Sequence, residues 1–431
     1  MKEACDIAIV GAGAAGLAAA IFAGETARKS DPEGRRIVVL ESASTVGAKI
    51  LISGGGRCNV TNAEVSPRDF NGARNPIRNI LAAFDQAAAL RWFESMGVAL
   101  KREENGKLFP VTNRARSVLD ALLGGCAQRG ITIRTGCRVT EVVTKTAVDA
   151  ETSNGGFVVY HAQGRLDAGC VIMATGGRSL PRTGSDGNGW EIARQLGHDV
   201  TATHQALVPL KLESPFHAAL SGIAVIVELS VVVDGRLADR RRGSMLWTQF
   251  GISGPVVMDA SRHWIAARAR SDRAGVRMIC NFYPGETRES AEAAFLRAAA
   301  AHPRMSLSNL LAARMPERLA AALVNFCGID PAINAGQLPR ELRRVLISTL
   351  TAFELPLIGE RGWDFAEVTA GGVPLDQIDY RTMESRRKPG LYLIGEMLDC
   401  DGRIGGFNFQ WAWATGYLAG RAAAHSKRCC L

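Results

Sequence analysis

The sequence predicts an α/β protein in which a Rossmann-like dinucleotide-binding domain is assembled from both ends of the chain around an inserted middle. Three observations lead to this prediction. One apolar run precedes a glycine-rich motif at residue 11, a second leads to Ala-Thr-Gly at residue 174, and a third leads to Gly-Glu at residue 395. Each pattern is typical of a parallel strand whose carboxyl end meets a ligand.

Composition places the chain among globular proteins of more than one domain. Its 431 residues exceed what one core usually supports, and 47% hydrophobic with 22% charged residues is an ordinary globular balance. The net charge of +9 favours anionic ligands such as dinucleotides. The densest positive run, Arg240–Arg242, is interpreted as a solvated turn between strands. The sequence carries no recognisable nucleic-acid-binding signature, so nucleic acid is not an expected partner.

Cysteine usage indicates a reducing compartment and no metal. The ten cysteines are irregularly spaced without a C-x-x-C pair, which argues against zinc and any other metal site. A cytoplasmic protein with reduced thiols is therefore expected. For the adjacent Cys429 and Cys430 at the C-terminus, a redox or metal role is the lesser alternative to a plain terminal segment.

The N-terminus carries no charge over 18 positions, residues 7–24, and so resembles a signal peptide or a short membrane helix. Asp6 directly precedes this run, however, and Gly11, Gly13 and Gly16 interrupt it. Because the glycines fall in a phosphate-binding register, the run is interpreted as part of a nucleotide site, and no membrane partner is expected.

The first motif is a G-x-G-x-x-G between a predicted strand, Asp6–Val10, and a predicted helix from Leu17. Gly11 permits the tight turn, Gly13 lets the backbone approach a pyrophosphate, and Gly16 lets helix and strand pack closely. The helix N-terminus offers free N–H groups and its positive dipole end to the phosphates. The predicted contacts are Gly11, Gly13, Ala14, Ala15 and Gly16.

A second predicted strand, Arg36–Leu40, ends at Glu41, whose carboxylate is placed to hydrogen-bond the ribose hydroxyls. Glu41 follows Gly11 at an unusually long spacing, and a polar loop over residues 29–35 accounts for the excess. Strand, glycines, helix and acidic residue together predict dinucleotide binding. They do not distinguish FAD from NAD.

The segment from Lys49 to Asn62 favours FAD. It reads K-I-L-I-S-G-G-G-R-C-N-V-T-N, and three consecutive glycines fit a backbone that passes against a flat ligand, with a glycine-rich surface turn as the alternative. Arg57 and Cys58 are also the catalytic candidates: Cys58 either acts as a thiolate, if Arg57 lowers its pKa, or packs beside the flavin. The predicted cofactor contacts are Lys49, Gly55, Gly56, Arg57 and Asn59.

The stretch V-I-M-A-T-G-G, residues 171–177, is a common second signature of FAD domains. It follows a predicted three-stranded meander over residues 137–145, 156–161 and 166–172. The predicted contacts here are Thr175, Gly176 and Val139, which lies in the first strand of the meander.

The third motif starts with the predicted strand Gly390–Ile394. In FAD enzymes a carboxylate at the position of Glu396 contacts the ribityl–phosphate region. A helix that begins near Gly405 directs its positive end at the flavin and stabilises negative charge on the reduced ring. The predicted contacts are Gly395, Glu396, Gly405, Gly406, Phe407 and Asn408. Together the three motifs predict FAD, and no second G-x-G-x-x-G provides a separate NAD domain.

With these segments the chain resembles the BaiN-like, or YhiN-like, family of bacterial NAD(P)/FAD-dependent oxidoreductases. The resemblance is carried by residues 49–62, G-I-S-G-P at 251–255, V-T-A-G-G-V at 368–373, T-M-E-S-R at 382–386 and residues 390–406. One departure is the run of aromatic residues Phe407, Phe409, Trp411 and Trp413, which is expected to reshape the site above the flavin.

The resemblance implies a discontinuous FAD-binding domain, an inserted β-barrel-like domain and a small helical subdomain inside the insert. β-rich runs at residues 223–233, 245–250 and 276–282, and helical runs at 289–301, 316–326 and 340–350, agree with it. The implied boundaries are 1–199 and 367–431 for the FAD domain, 200–285 for the β-rich insert, 286–352 for the helical subdomain and 353–366 for a return strand.

The predicted function is that of an oxidoreductase whose non-covalent FAD transfers hydride or electrons between NAD(P)H and a small organic substrate. NADH or NADPH would dock transiently as the reductant. The alternatives are a flavin-dependent oxidase of a small amine or alcohol with dioxygen as acceptor, an FAD-bound RNA-modifying protein, and a non-catalytic flavin-binding scaffold. The substrate, the preference between NADH and NADPH and the oligomeric state are left open.

Overall fold

The structure, a computed structural model, describes residues 3–30, 34–103, 105–145, 156–213, 215–270 and 275–426. Cys429 and Cys430 therefore lie outside the described residues. Residue contacts divide the chain into a terminal unit, Met1–Thr203 with Glu367–Leu431, and an inserted unit, His204–Ala366. The finer boundaries expected within the insert stay predictions.

The first part of the terminal unit alternates helices with strands. Its helices are α1 (Ala14–Ser30), α2 (Ala48–Gly56), α3 (Arg74–Ala83), α4 (Gln86–Ser95), α5 (Ala115–Gln128) and α6 (Asn188–Gln195). Its strands are β1 (Ala4–Val10), β2 (Ile37–Leu40), β3 (Thr61–Asn62), β4 (Phe70–Asn71), β5 (Leu100–Arg102), β6 (Lys107–Pro110), β7 (Thr132–Arg134), β8 (Val139–Thr144), β9 (Phe157–His161) and β10 (Gly164–Met173).

The inserted unit contains both strands and helices. Its strands are β11 (His204–Ala206), β12 (Leu210–Leu212), β13 (Ala224–Val233), β14 (Arg236–Thr248), β15 (Gly251–Ser253), β16 (Val276–Asn281), β17 (Phe353–Glu354) and β18 (Leu357–Glu360). Its helices are α7 (Pro255–Arg270), α8 (Arg288–Ala301), α9 (Leu307–Ala312), α10 (Glu317–Phe326) and α11 (Arg340–Ala352).

The chain then returns to the terminal unit. The last strands are β19 (Val368–Ala370), β20 (Ile378–Asp379), β21 (Glu384–Ser385), β22 (Leu391–Leu393) and β23 (Asp401–Gly402), and the last helix is α12 (Phe407–His425). Within the described residues, no helix is long and apolar enough to cross a membrane.

The main sheet of the terminal unit has the Rossmann arrangement. Its parallel strands run in the order β22-β10-β1-β2-β7, with β20 and β21 beyond β22. The predicted meander is confirmed, since β8 pairs antiparallel with β9 and β9 with β10, while β10 also pairs parallel with β1. The parallel strands are buried, as the uninterrupted apolar run of β2 indicates.

Helices α1 and α12 of the terminal unit pack against each other with their backbones in close contact. A Cβ on Gly416 of α12 would lie 2.8 Å from the carbonyl oxygen of Ala15 in α1. A Cβ on Gly420 would lie 2.4 Å from the carbonyl oxygen of Ala19. Glycine at both positions therefore lets α12 pack directly against the helix that starts at the first glycine motif.

The strands of the inserted unit form a sheet in the order β17-β16-β13-β14-β15-β12-β18. In the described residues no pairing joins β17 to β18, so the expected barrel is not confirmed. Helices α8, α10 and α11 confirm the three predicted helical runs, whereas α7 and α9 were not predicted. The helices share one hydrophobic core with the sheet, as Phe295, Leu346 and Val227 illustrate.

The run Arg240–Arg242 lies inside strand β14, so its interpretation as a turn was wrong. The strand alternates: Arg240 and Arg242 are exposed, whereas Arg241 is partly buried and donates to Asp239 Oδ2 at 2.7 Å. Arg241 Nη1 also lies 3.8 Å from a buried carboxylate, Asp259 Oδ2. These carboxylates compensate the positive charge of Arg241, which faces inward. Without them, burying that charge would disfavour a strand at these residues.

Candidate functional site

Four parallel strands of the terminal unit end at one edge of its sheet, and a predicted motif follows each of them. Gly11 follows β1, Glu41 follows β2, Ala174 follows β10, and Gly395 comes shortly after β22. Ligands of open α/β sheets bind outside the carboxyl ends of the strands. The fold therefore brings motifs from opposite ends of the chain to one candidate site.

The first glycine motif has the geometry that a bound pyrophosphate requires. Gly11 has a φ of +104°, and a Cβ there would lie 2.5 Å from the carbonyl oxygen of Ala174. A Cβ on Gly16 would lie 2.0 Å from the carbonyl oxygen of Gly11. In the described part of the chain, by contrast, no neighbouring atom lies within 4 Å of a Cβ on Gly13. That open space precedes Ala14 and Ala15, the first residues of α1, as phosphate binding at a helix N-terminus demands.

Glu41 is held at the same edge by backbone donors. Its Oε2 accepts from the N–H of Ala12 at 2.7 Å, and its Oε1 accepts from the N–H of Ala43 at 2.9 Å. The side chain is buried, with 8% of the residue exposed. These bonds fix the carboxylate beside the glycine motif, and its contact with the ribose hydroxyls stays a prediction.

The triple glycine ends a short helix that the sequence did not reveal. Helix α2 follows Gly47, which is left-handed, and breaks at Ser53, whose ψ is 147°. Gly54, Gly55 and Gly56 then have φ values of +55°, +69° and +81°. In the described residues nothing lies within 4 Å of a Cβ on Gly55, so a flat ligand has room against this backbone.

Asn59 supplies an independent sign that a ligand belongs here. The residue is 8% exposed, and within the described residues its buried Oδ1 has no hydrogen-bond partner. A buried acceptor without a donor costs roughly 1–3 kcal/mol. FAD carries a ring N–H group and ribityl hydroxyls that can donate, so the open glycine backbone and this orphan oxygen fit the expected cofactor.

Lys49 and Glu396 form an ion pair that joins α2 to the segment after β22. Lys49 Nζ donates to Glu396 Oε2 and to Ser179 Oγ, each at 2.6 Å. The two charged side chains are 27% and 19% exposed. The pair therefore faces partly toward solvent at the edge where the motifs meet.

The other oxygen of Glu396 also accepts from protein donors. Oε1 accepts from the Ser179 hydroxyl at 2.6 Å and from the Thr369 N–H and hydroxyl at 3.0 and 2.9 Å. A Cβ on Gly177 would lie 2.8 Å from this oxygen. Both carboxylate oxygens thus have protein donors, and the bond from Lys49 leaves Oε2 with a second lone pair that can accept from a ligand. A direct contact of Glu396 with the ribityl chain stays a prediction.

Arg57 is oriented by two residues outside every motif of the sequence analysis. Its Nη1 donates to Glu103 Oε1 at 2.6 Å, and its guanidinium lies 4.0 Å from the ring centroid of Phe109. The Arg57 side chain remains 40% exposed. The Phe109 ring also packs close to Gly54, because a Cβ on Gly54 would lie 3.0 Å from the ring. A fixed cation therefore borders the open glycine backbone.

Burial argues against the thiolate hypothesis for Cys58. The residue is 0% exposed, and burial raises the pKa of its thiol to about 12. Arg57 does not lower that pKa, because its guanidinium is directed at Glu103. Cys58 is instead a packed residue with a left-handed φ of 61° that turns the chain after the glycines.

Within the described residues, Cys58 is not part of a disulfide. In the described residues no group of three or more potential ligands could hold a metal ion. Among the described residues, the cysteines outside any disulfide include Cys5, Cys58, Cys126, Cys137 and Cys280, which are buried, and Cys327, which is partly exposed.

The start of α12 is interlocked with the segment that follows Cys58. Gln410 is 0% exposed and its Oε1 accepts from the Thr61 hydroxyl at 2.7 Å. Asn62 Nδ2 donates to the carbonyl oxygen of Gly405 at 3.0 Å. A Cβ on Gly406 would lie 2.5 Å from the carbonyl oxygen of Thr61. The helix N-terminus, which is predicted to face the flavin, is therefore fixed against the glycine segment.

The two tryptophans of α12 belong to the core, so the expectation that this aromatic run reshapes the site above the flavin was wrong for them. Trp411 and Trp413 are 2% and 0% exposed. The Trp411 indole N–H donates to the carbonyl of Gly395 at 3.1 Å, and that of Trp413 to Val60 at 2.9 Å. The two indoles tie the C-terminal and N-terminal motifs to one helix.

Phe407 and Asn408 are predicted cofactor contacts. Their side chains instead contact neighbouring protein residues. The Phe407 ring packs edge-on against Phe70 at 6.1 Å, and Phe407 is 6% exposed. The Asn408 amide accepts from the N–H of Gly402 and donates to its carbonyl, at 2.8 and 2.9 Å. Cofactor contact at these positions remains predicted for the backbone N–H groups.

The Ala-Thr-Gly segment is packed against α6. A Cβ on Gly189 would lie 1.9 Å from Thr175 Oγ1, and one on Gly176 would lie 2.7 Å from Ser185 Oγ. The carbonyl of Val139 accepts from Asn188 Nδ2 at 3.1 Å. Val139 therefore belongs to the same edge, and its cofactor contact stays a prediction.

The sequence analysis missed Ser179, Thr369, Glu103 and Gln410. Thr369 lies in the V-T-A-G-G-V segment of the family resemblance, which was an available signal. Glu103 and Gln410 carry no motif, and only the folded chain brings them to the site.

Comparisons with known proteins identify the family to which the chain belongs. The chain matches the family described as HI0933-like protein Rossmann domain over residues 5–422. It is 34% identical over 422 residues to the ribosomal RNA dihydrouridine synthase of Escherichia coli (strain K12), across 96% of this chain and 97% of that protein. It is 33% identical over 419 residues to the 3-dehydro-bile acid delta(4,6)-reductase of Clostridium scindens, across 97% and 98%.

A solved structure shares the fold. The 3-ketosteroid delta1-dehydrogenase of Sterolibacterium denitrificans superposes with a TM-score of 0.50 and 13% identity, covering 99% of this chain and 100% of that one. At this identity the similarity concerns the fold alone.

Proposed function

The chain belongs to the HI0933-like family of FAD-binding flavoprotein oxidoreductases, and from that premise we propose that it reduces a carbon–carbon double bond conjugated to a carbonyl group. NAD(P)H is the proposed source of the hydride. The names of the two relatives motivate the proposal, because dihydrouridine is uridine with its ring double bond reduced, and a delta(4,6)-reductase removes double bonds by reduction.

The observation that carries the proposal is the segment of residues 53–59. Open glycine backbone, an orphan amide oxygen on Asn59 and a fixed guanidinium on Arg57 follow one another there. The first two features suit a flat hydrogen-bonding ring. The third suits an oxygen that gains negative charge beside that ring.

When bound, FAD would supply the transfer of a hydride from NAD(P)H to the substrate. The hydride joins the alkene carbon remote from the carbonyl, the double-bond electrons shift to the carbonyl oxygen, and the neighbouring carbon takes a proton from water. Arg57 donates hydrogen bonds to that oxygen while its charge develops. Glu103 and Phe109 keep the guanidinium in place, so little reorganisation accompanies the step.

The substrate class has two candidates. A small enone is the first. Uridine within RNA is the second, and it is favoured by the net charge of +9 and by the relative named for ribosomal RNA. Since NAD(P)H is the proposed reductant, we also propose that the protein is cytoplasmic.

The test is an anaerobic two-step reaction of the purified protein. NADPH or NADH first bleaches the visible flavin absorbance, and a conjugated 3-oxo steroid or a uridine-containing ribosomal RNA fragment is then added. Return of the flavin colour with formation of the saturated product supports the proposal. A flavin that neither nucleotide reduces, but that a small amine or alcohol does reduce, would instead favour the oxidase alternative.

A further inference from the structure

The inserted unit carries arginines that the flavin chemistry does not use. Between residues 204 and 366 the sequence has 18 arginines and one lysine, Lys211. Arginine binds phosphate with two parallel N–H groups, whereas lysine offers a point charge. The composition of this unit therefore suits a ligand with phosphate groups.

Several of these arginines share the exposed face of the sheet. Arg240 and Arg242 of β14 are exposed and lie opposite Ser230 and Glu228 of β13. Arg277 of β16 is exposed and lies opposite Val232 of β13. The alternation of the strands places these guanidiniums on one side and the hydrophobic core on the other.

Carboxylates neutralise this face only weakly. Arg240 Nε lies 3.8 Å from Glu228 Oε1, and Arg277 Nη1 lies 3.6 Å from Glu354 Oε2. Both arginine side chains are about half exposed, at 57% and 49%. Exposed ion pairs of this length contribute between about 0 and 1 kcal/mol, so an incoming phosphate can replace them.

A groove adjoins the arginines. It has a volume of about 450 Å³ and is lined by Ile226, Arg242, Tyr283, Arg314, Met315 and Pro316, among others. Cavities that hold small ligands have volumes of roughly 300–1,000 Å³. Ile226 is 51% exposed, although it is a large apolar side chain. The groove thus combines an apolar surface with a guanidinium from each of two separate segments.

One wall of the groove also has an unused acceptor. Arg314 is paired with Glu286 Oε1, and its guanidinium lies 3.9 Å from the Tyr283 ring centroid. In the described residues the buried Oε2 of Glu286 has no hydrogen-bond partner. A nucleobase presents both an apolar face and N–H donors, so it can pack against Ile226 and donate to this oxygen.

We propose that this groove and its arginines bind a single-stranded segment of RNA. A base lies in the groove, and the neighbouring phosphates contact Arg240, Arg242 and Arg314. The inference rests on the second candidate substrate of the proposed function, uridine within RNA, and it gives the inserted unit the task of holding that RNA.

The experiment measures binding of a fluorescently labelled oligouridylate to the FAD-loaded protein at several salt concentrations. The variant is R240E/R242E, and R240Q/R242Q repeats the test without adding negative charge. The control is R297E/R304E, which changes two exposed arginines of the same unit outside the groove. FAD content and the rate of flavin reduction by NAD(P)H are measured for each protein.

We expect the wild type to bind with a dissociation constant that rises steeply with salt. R240E/R242E should bind about tenfold more weakly, and its salt slope should fall by about 1.4, or about 0.7 for each lost phosphate contact. Equal losses in R297E/R304E, or no RNA binding by the wild type, would overturn the inference. Neither result concerns the flavin reaction itself, because the reduction of a small enone is assayed separately.

Discussion

Two cations mark opposite ends of the same segment, and their surroundings differ. Lys49 in the first turn of α2 contacts Ser179 and Glu396, which lie 130 and 347 residues away in sequence. Arg57, just past the triple glycine, contacts Glu103, which lies 46 residues away, and rests on Phe109. Lys49 is 27% exposed and Arg57 is 40% exposed.

This difference separates two roles. The partner of Lys49, Glu396, has both oxygens engaged by protein donors, so Lys49 belongs to the framework that joins the chain ends at the candidate site. Arg57 uses one of the five N–H groups of its guanidinium on Glu103 and keeps others for a ligand. We infer that one cation serves the cofactor and the other serves the substrate.

The largest expected effect follows from replacing Arg57. Arg57→Met removes the proposed donor to the substrate oxygen, and loss of one such donor typically slows a reaction by about 100-fold or more. The measurement is the rate at which a conjugated substrate reoxidises the reduced flavin, without oxygen. FAD affinity should stay unchanged.

Arg57→Lys is the matched control, because it keeps the charge but loses the planar fork. It should recover part of the rate. If Arg57→Met instead released FAD and left the rate of the remaining holoprotein intact, Arg57 would belong to the cofactor and the comparison would fail.

The next effect concerns Lys49. Lys49→Met leaves the Glu396 carboxylate without its cation. Because the pair is partly exposed, we expect the free energy of FAD binding to weaken by about 2 kcal/mol. The dissociation constant of FAD should therefore rise about 30-fold, measured by titration of the apoprotein.

A double-mutant cycle sharpens this prediction. Glu396→Gln should weaken FAD binding as well, and the double variant should be little worse than either single one, because the two residues act as a pair. Fully additive losses would show that Glu396 binds FAD on its own, as the sequence analysis predicted.

A smaller effect is expected at Glu103, which touches Arg57 and no proposed reactant. The side chains of Arg57 and Glu103 are 40% and 32% exposed. Loss of their ion pair in Glu103→Gln should therefore raise the activation free energy by about 1 kcal/mol, which slows reoxidation roughly fivefold. Glu103→Asp should restore some of that rate. A structural defect would lower the melting temperature and FAD content of Glu103→Gln together, whereas a positioning role changes only the rate.

The smallest effect is expected at Cys58. Since burial raises the pKa of this thiol from 9.0 to about 12, it stays neutral across the physiological range, and Cys58→Ser should retain turnover within about twofold. The pH profile of turnover should be the same in both proteins. If the pH profile of turnover lost its acidic or alkaline limb in Cys58→Ser, the thiolate hypothesis would be supported again.

The raised pKa also predicts how stability depends on pH. The folded protein holds the Cys58 proton more tightly than the unfolded chain does, so this contribution is complete below pH 9.0 and is lost as the pH rises toward about 12. Unfolding of wild type and Cys58→Ser in denaturant should therefore show the wild type losing more stability above pH 9.0.

Local patterns allowed much of the fold to be predicted. The glycine motif, the β8–β10 meander and helices such as α8 are determined by neighbouring residues, and the structure has them where the sequence indicated. Helix α7 was missed in a stretch interpreted as β-rich, although Gly254 and Pro255 are a recognised helix start. Arg240–Arg242 was misassigned because the inward-facing Arg241 is compensated by tertiary partners, among them Asp239, Asp259 and His263.

The site could be predicted only in part, because its hydrogen bonds join distant segments. The sequence motifs indicated Lys49, Arg57 and Glu396, but not that protein donors engage both oxygens of Glu396 or that Glu103 orients Arg57. The aromatic run in α12 suggested a site above the flavin, whereas the burial of Trp411 and Trp413 depends on how the helix packs. Tertiary contacts of this kind leave no periodic signal in the sequence.

The most direct test of the central claim is an anaerobic visible spectrum of the purified protein, recorded before and after NADH, then NADPH, and then a conjugated enone. The account predicts a yellow protein that bleaches with one of the nucleotides and regains its colour with the enone. A protein that remains colourless after reconstitution with FAD, or one whose flavin neither nucleotide reduces, would contradict the account.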